Sequence, residues 1–303
     1  MESDFATRSL SRFSSPAINV IGRLVEYIVL ASFGKATTTQ SQEIALGRGE
    51  SLELKLSSLS VVLPAHNEEG SVEAVVASVS GVLTALEIEH EILLVDDGST
   101  DGTGALGRRL EKEFPRMRMV QHSPNRGYGG ALKAGFAAAS MEWIAFFPAD
   151  GQFLFSEIEL LIGKTESAEI VSGYRADRKD ILIRRFNAMA WSALVRLLFG
   201  HLCRDIDCGF KLFRRQILSH VVLEGDGATL DTELLAGAKA VGYRISEVGV
   251  THLPRTSGRA TGADLKVILR ALLDLPRFRL RLKRDLSSHK VTRVFPEAVP
   301  EEV

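Results

Sequence analysis

Two apolar runs, each cut off by acidic and turn-forming residues, set the tightest limit on the fold. Val61-Val62-Leu63 stops at Pro64-Ala65-His66-Asn67-Glu68-Glu69, and Ile92-Leu93-Leu94-Val95 stops at Asp96-Asp97-Gly98-Ser99-Thr100-Asp101. Short continuous apolar runs bounded this way are how strands buried on both faces of a parallel sheet read. Polar residues at both strand ends then share one rim, the one beyond the carboxyl ends where open α/β sheets take ligands. A third run, Trp143-Ile144-Ala145-Phe146-Phe147, ends in the same manner at Pro148-Ala149-Asp150-Gly151-Gln152. Three acidic stops on one rim call for a cationic partner, and a metal-bound nucleotide is the obvious one.

The periodicity between these runs supports that frame. It predicts strands over Leu59–Leu63, Glu91–Val95, Met117–Gln121, Trp143–Phe147, Glu169–Ser172 and Arg244–Val250. Helices are predicted over Val72–Leu86, Ala105–Phe114, Gly127–Ala139, Ser156–Gly163, Ile183–Phe199 and Asp231–Ala240. Strand and helix alternate as far as Tyr174, the rhythm of a mostly parallel sheet covered on both faces. The glycines of 127–135 read as close packing or close backbone approach. Beyond Asp264, leucines and phenylalanines alternate with Lys266, Arg270, Arg277, Arg279, Arg281, Lys283 and Arg284, an amphipathic basic helix that Pro276 is expected to kink or end.

Three segments are expected: a partly disordered N-terminal extension over 1–56, a catalytic domain over 57–260, and the basic helix and tail over 261–303. The chain has 303 residues, 45% of them hydrophobic and 25% charged, the make-up of an ordinary globular protein. Its formal net charge of -1 argues against a nucleic-acid partner. Cys203 and Cys208 are too few for a structural zinc site and suit a reducing compartment. No secretory signal and no apolar run of ~20 residues is seen. A cytoplasmic protein, peripheral to a membrane at its cytoplasmic face, is the expectation.

The combination of Pro64-Ala65-His66-Asn67-Glu68, Val95-Asp96-Asp97-Gly98-Ser99, Asn125-Arg126-Gly127-Tyr128-Gly129-Gly130-Ala131, Ala149-Asp150-Gly151-Gln152 and Asp205 to Lys211 resembles the family 2 glycosyltransferases of the GT-A fold. Within them it is most similar to the polyprenyl-phosphate and dolichyl-phosphate hexosyltransferases. The resemblance covers about residues 58 to 260. It implies an inverting transfer of a hexose from a nucleoside diphosphate sugar, of the UDP-glucose or GDP-mannose type, to a polyprenyl phosphate at a membrane surface.

The resemblance also implies roles. Pro64, Asn67, Glu68, Asp96, Asp97 and Gly98 hold the nucleotide sugar, and Arg255 and Arg259 close on its diphosphate. Asp150, with Gln152, binds Mg²⁺ or Mn²⁺. Asp205, then Asp207, lie at the reacting centre together with Asp150. Arg175, Arg178, Arg184 and Arg185 grip the acceptor phosphate, with Asp231 and Glu233 as outlying acids. One departure stands out. The family's Asp-x-Asp reads Pro148-Ala149-Asp150 here, which leaves one metal carboxylate and Asp96 as a candidate substitute. A hydroxyl acceptor, or a nucleotide-sugar-binding protein with impaired catalysis, are the alternatives.

Overall fold

The computed structural model of the chain describes residues 56–176, 182–227, 229–254 and 265–288, with backbone only over 182–190 and 265–273. The N-terminal extension apart from Leu56, and the candidates Arg178, Arg255 and Arg259, lie outside the described residues.

Seven strands form one sheet: β1 (Ser58–Ala65), β2 (Glu89–Asp96), β3 (Met117–Gln121), β4 (Trp143–Phe146), β5 (Ile170–Arg175), β6 (Lys211–Arg214) and β7 (Ile245–Val250). Their order is β3-β2-β1-β4-β6-β5-β7. β1 pairs in parallel with β2 and β4, β2 with β3, and β5 with β7. β6 alone runs against its neighbours β4 and β5. Among the described residues the helices are α1 (Val72–Ala85), α2 (Thr103–Glu113), α3 (Gly127–Ala138), α4 (Ile158–Ile162), α5 (Leu182–Phe199), α6 (Thr229–Val241) and α7 (Leu265–Ser287).

Alternation along each strand divides the core in two. Val61, Leu63, Ile92, Leu94 and Ala145 face α1, α2 and α4. Val62, Leu93, Val95, Ile144 and Phe146 face α3, α5, α6 and α7. Both faces are covered, so both Val61 and Val62 are fully buried, and each such side chain is worth about 1.5–3 kcal/mol. α3 lies close on the sheet because it is glycine-rich: a Cβ at Gly135 would stand 2.2 Å from Cγ1 of Val62.

Two expectations are corrected. The helix α7 continues through Pro276 rather than ending there. Pro276 is on the exposed face, while Leu275, Phe278 and Leu282 on either side of it are buried in the core. The other is β6, a strand the alternation did not reveal. With four residues and a lysine at its head, it carries no readable period.

Candidate active site

The carboxyl ends of β1 and β2 are stitched together by the residues that stop them. Ala65 is in register with Asp96, and the Asp97 N–H donates to the Ala65 carbonyl at 2.9 Å. Asn67 takes a left-handed φ of 58°, a conformation that its short amide side chain tolerates. Its Oδ1 accepts from the Thr100 N–H at 2.8 Å, and its own N–H donates to Ser99 Oγ at 3.0 Å. The Glu68 N–H donates to Thr103 Oγ1 at 2.9 Å, and its carboxylate is buried beside Ser71. Gly98 has a φ of 69°, and a Cβ there would meet the Asn125 nitrogen at 2.7 Å, so glycine is required on both counts.

The neighbouring acids of this rim differ in what they can reach. Asp96 is fully buried, and its two oxygens accept from the Ser99 N–H and from Gln121 Nε2, each at 3.0 Å. It braces the turn with both oxygens engaged. Asp97 uses one oxygen, Oδ1, for both His122 Nδ1 at 2.8 Å and the Arg126 N–H at 2.9 Å. Its Oδ2 has no partner among the described residues, which leaves a carboxylate oxygen at the rim. His122 and Asn125 were not singled out from sequence as site residues. Asn125 Nδ2 donates to the Asp97 carbonyl at 2.8 Å.

Asp150 is set beside this pair by β1. The Pro64 carbonyl accepts from the Ala149 N–H at 3.2 Å, Ser71 Oγ donates to the Ala149 carbonyl at 2.7 Å, and Gly151 turns with a φ of 69°. Asp150 Oδ1 accepts from the Gln152 N–H at 3.1 Å. Gln152 Nε2 donates to the Leu253 carbonyl at 3.2 Å, which orients its amide and leaves Oε1 without a partner among the described residues. Pro148, standing where an acid is expected, packs on Gly209, whose added Cβ would lie 2.5 Å from Pro148 Cγ. The proline is thus seated tightly against the 205–211 segment. Among the described residues no cluster of three His, Cys, Asp or Glu side chains could cage a metal alone. The hard oxygens of Asp150 and Gln152 fit a cation whose other ligands are phosphate and water.

The reversed strand β6 brings the third group of acids to the same rim. Phe146, the last residue of β4, is in register with Lys211, the first of β6. Asp205 is buried and held in a fork by Arg175 at the end of β5, with Nε to Oδ2 at 2.7 Å and Nη2 to Oδ1 at 2.8 Å. The two residues predicted to serve as reacting acid and acceptor-phosphate arginine are therefore bound to each other. Asp207 is open to solvent, with Asp231, Lys211, Asp205 and Arg175 around it. Burial, then the charge of Asp231, pushes its carboxyl up to about 6, against the pull of Lys211.

Lys211 is wholly buried. Its Nζ donates to Asp231 Oδ1 at 2.8 Å and to the Cys208 carbonyl, and it lies 4.9 Å from the centre of the Phe146 ring. Burial alone would lower it, but the charge of Asp231 holds the lysine above its ordinary value. Lys211 was missed from sequence, although one charge inside Gly209-Phe210-Lys211-Leu212-Phe213 is itself a signal of a buried partner. Tyr128, whose hydroxyl faces Asp231, was missed as well. Burial pushes the Cys208 thiol up to about 11, so it is packed and unreactive.

Glu233, an outlying acid of the resemblance, is fully engaged by the protein. Its carboxylate accepts from the N–H groups of Glu224 and Gly225 at 2.8 and 2.9 Å and from Arg281 of α7 at 2.9 Å. It fastens α7 to α6. Arg184 and Arg185 fall in the first turn of α5.

These residues can be set against known proteins. The model of the family described as "Glycosyl transferase family 2" matches residues 60–222. Dodecaprenyl-phosphate galacturonate synthase of Rhizobium johnstonii is 30% identical over 232 residues, covering 75% of this chain and 68% of that protein. Dolichyl-phosphate beta-glucosyltransferase of Saccharomyces cerevisiae is 30% identical over 220 residues, covering 64% of this chain and 66% of the relative. The chain thus spans about two thirds of the length of these relatives. Among solved structures, glucosyl-3-phosphoglycerate synthase from Mycobacterium tuberculosis, in complex with Mn²⁺, UDP-glucose and phosphoglyceric acid, superposes with a TM-score of 0.53. The two are 22% identical, over 72% of this chain and 79% of that one. That likeness shows the fold, which is GT-A. With the family model covering more than half of its residues, this chain belongs to glycosyl transferase family 2 and is an enzyme of the hexosyltransferase kind.

Proposed function

We propose that the chain transfers a hexose from a nucleoside diphosphate sugar to a polyprenyl phosphate, with inversion at the anomeric carbon. One observation carries this reading: Asp97, Asp150 and the Arg175–Asp205–Asp207 group stand on a single sheet rim. The names of relatives that act on dolichyl and dodecaprenyl phosphate support the acceptor class.

Asp97 Oδ2 accepts hydrogen bonds from the nucleoside, and Asp150 with Gln152 Oε1 would hold Mg²⁺ or Mn²⁺. When bound, the cation stabilises the charge of the departing diphosphate, the kind of contribution that is usually the largest in such a reaction. Arg255 and Arg259 retain the same task as the resemblance assigns it. An oxygen of the acceptor phosphate forms the new bond to the anomeric carbon as the bond to the diphosphate breaks. A phosphate monoester has a second pKa of about 6, so positioning matters more than strong base catalysis. Asp205 holds Arg175 in place, and Asp207 takes the remaining proton from acceptor molecules still in the monoanionic form.

A hydroxyl acceptor is the second reading, favoured by Asp207 itself, since a carboxyl near 6 suits a general base. The test is to incubate the chain with Mn²⁺, a panel of UDP- and GDP-hexoses, and either a short polyprenyl phosphate or the matching polyprenol, and to weigh the products. A phosphate-linked hexose that disappears with chelator and with Asp150→Ala is expected. Transfer to the alcohol alone favours the second reading, and donor binding without transfer to either removes the enzyme reading.

The membrane contact is assigned to α7. Its outward stripe is Pro276, Arg277, Leu280, Lys283 and Arg284, with Leu280 69% exposed, a pattern that suits an anionic lipid surface. Among the described residues no helix is long and apolar enough to cross a membrane. A peripheral position at the cytoplasmic face follows from this reading. Flotation with anionic vesicles should recover the intact chain and not a form truncated before Asp264; equal recovery removes this contact.

A further inference from the structure

Gly127-Tyr128-Gly129-Gly130 gives the first turn of α3 a single side chain, and the reason is steric. A Cβ on Gly127 would lie 2.8 Å from the Asp226 carbonyl oxygen, one on Gly129 2.6 Å from the Gly225 carbonyl oxygen, and one on Gly130 2.6 Å from Cβ of Arg126. The Gly129 N–H completes the contact by donating to the Asp226 carbonyl at 2.9 Å. The 225–226 loop is therefore flush against the start of the helix. Tyr128 alone projects, and it projects to the rim, with its hydroxyl within reach of the Asp231 carboxylate and Asp207 close by.

Tyr128 is 36% exposed, and Asp231, Asp207 and Cys208 stand around it. Its anchor is rigid: Asp231 is buried and bound to Lys211, which has no exposed surface at all. Burial, then the negative charges of Asp231 and Asp207, keep the phenol well above its ordinary value, so it remains a donor. A fixed aromatic ring with an open side, flanked by carboxylates that accept hydrogen bonds, is the chemistry that holds a sugar. The C–H face of the hexose lies on the ring and its hydroxyls donate to the acids.

We propose that Tyr128, fixed by the Asp231–Lys211 pair, is the wall of the hexose subsite and decides which hexose the donor carries. The proposal rests on the donor reading above and names the residue that reads the sugar.

Calorimetry of the full chain in Mn²⁺, with UDP and UDP-glucose as one pair and GDP and GDP-mannose as the other, separates the parts. With the pair that binds, Tyr128→Ala should leave the nucleotide affinity within about twofold and weaken the sugar nucleotide about tenfold, the scale of one aromatic contact. Tyr128→Phe keeps the ring and should restore most of that loss. The kcat/KM ratio between the preferred donor and its epimer should fall about tenfold in Tyr128→Ala, a change that loosened packing alone would not produce. Equal weakening of nucleotide and sugar nucleotide overturns the proposal, as does an unchanged epimer ratio. If Tyr128→Ala does not fold, Tyr128→Leu, which keeps bulk without the ring, decides through the same ratio, and an unchanged ratio overturns the proposal. If neither UDP nor GDP binds the natural chain, the donor reading fails and this inference fails with it.

Discussion

The two rims of the sheet place carboxylates in opposite circumstances. At the amino-terminal rim, Glu91 of β2 collects Ser60 Oγ at 2.7 Å, the Ser140 N–H and hydroxyl at 2.7 and 2.8 Å, and the Arg118 guanidinium. Burial would raise its carboxyl, but these donors more than reverse it and bring it to about 2. At the carboxyl-terminal rim, Asp207 has acids for neighbours, and burial and Asp231 raise it to about 6. The first arrangement is satisfied and stabilises the fold. The second leaves a charge poorly accommodated, as reaction sites do. Among the described residues, the residue type is a poor guide to role, and the surrounding donors and charges decide it.

The contrast can be broken or sharpened by substitution. The largest effect is expected at the junction between the rim and the core. Lys211→Met leaves Asp231 buried without its cation and should cost about 4 kcal/mol in urea unfolding. Adding Asp231→Leu should restore most of that stability. A loss under about 1 kcal/mol for the single change would mean that the pair is less buried than described. Next is Asp207→Asn, expected to lower kcat about fivefold, the share left to a group that serves only the monoanionic acceptor, and to alter the acidic limb near pH 6 that Asp207 and the acceptor phosphate share. A raised carboxyl favours folding below its unfolded pKa, and that contribution is lost as pH rises through about 6. The asparagine variant should therefore melt no lower than the natural chain above pH 6. An intact pH profile would return Asp207 to the class of turn residues.

The smallest effect on turnover is at the opposite rim. Glu91→Gln should cost about 2 kcal/mol at neutral pH, since the exposed half of Arg118 is screened, and leave turnover unchanged. The sign is reversed relative to Asp207. A depressed carboxyl contributes above its unfolded value of 4.5, and the contribution is lost as pH falls towards about 2. Melting curves of the two proteins should converge across that window, and parallel curves would contradict the account of Glu91.

The parallel half of this architecture is legible in the chain because each strand there is a buried run with a sharp polar end. Val61–Leu63 and Ile92–Val95 could be placed before any coordinates, and with them Asp97 and Asp150. What the residues did not reveal involves reversal or long range. β6 is four residues long with a charge at its head, so neither length nor alternation marks it. The Arg175–Asp205 fork joins the end of β5 to the loop ahead of β6, thirty residues further on, and that loop reaches β5 because β6 is inserted between β4 and β5. Asp96 and Asp97 are adjacent and chemically identical. Only the donors around them, Gln121 for one and His122 for the other, tell the carboxylate with both oxygens engaged from the one with an oxygen to spare.

The reversal of β6 carries a consequence for how such a chain tolerates change over generations. Side chains on a strand alternate between faces, so one codon gained or lost between Asp207 and Phe213 would swing Lys211 to the opposite layer and strand Asp231 without a counter-ion. Insertions and deletions should accordingly be absent from this strand in viable descendants.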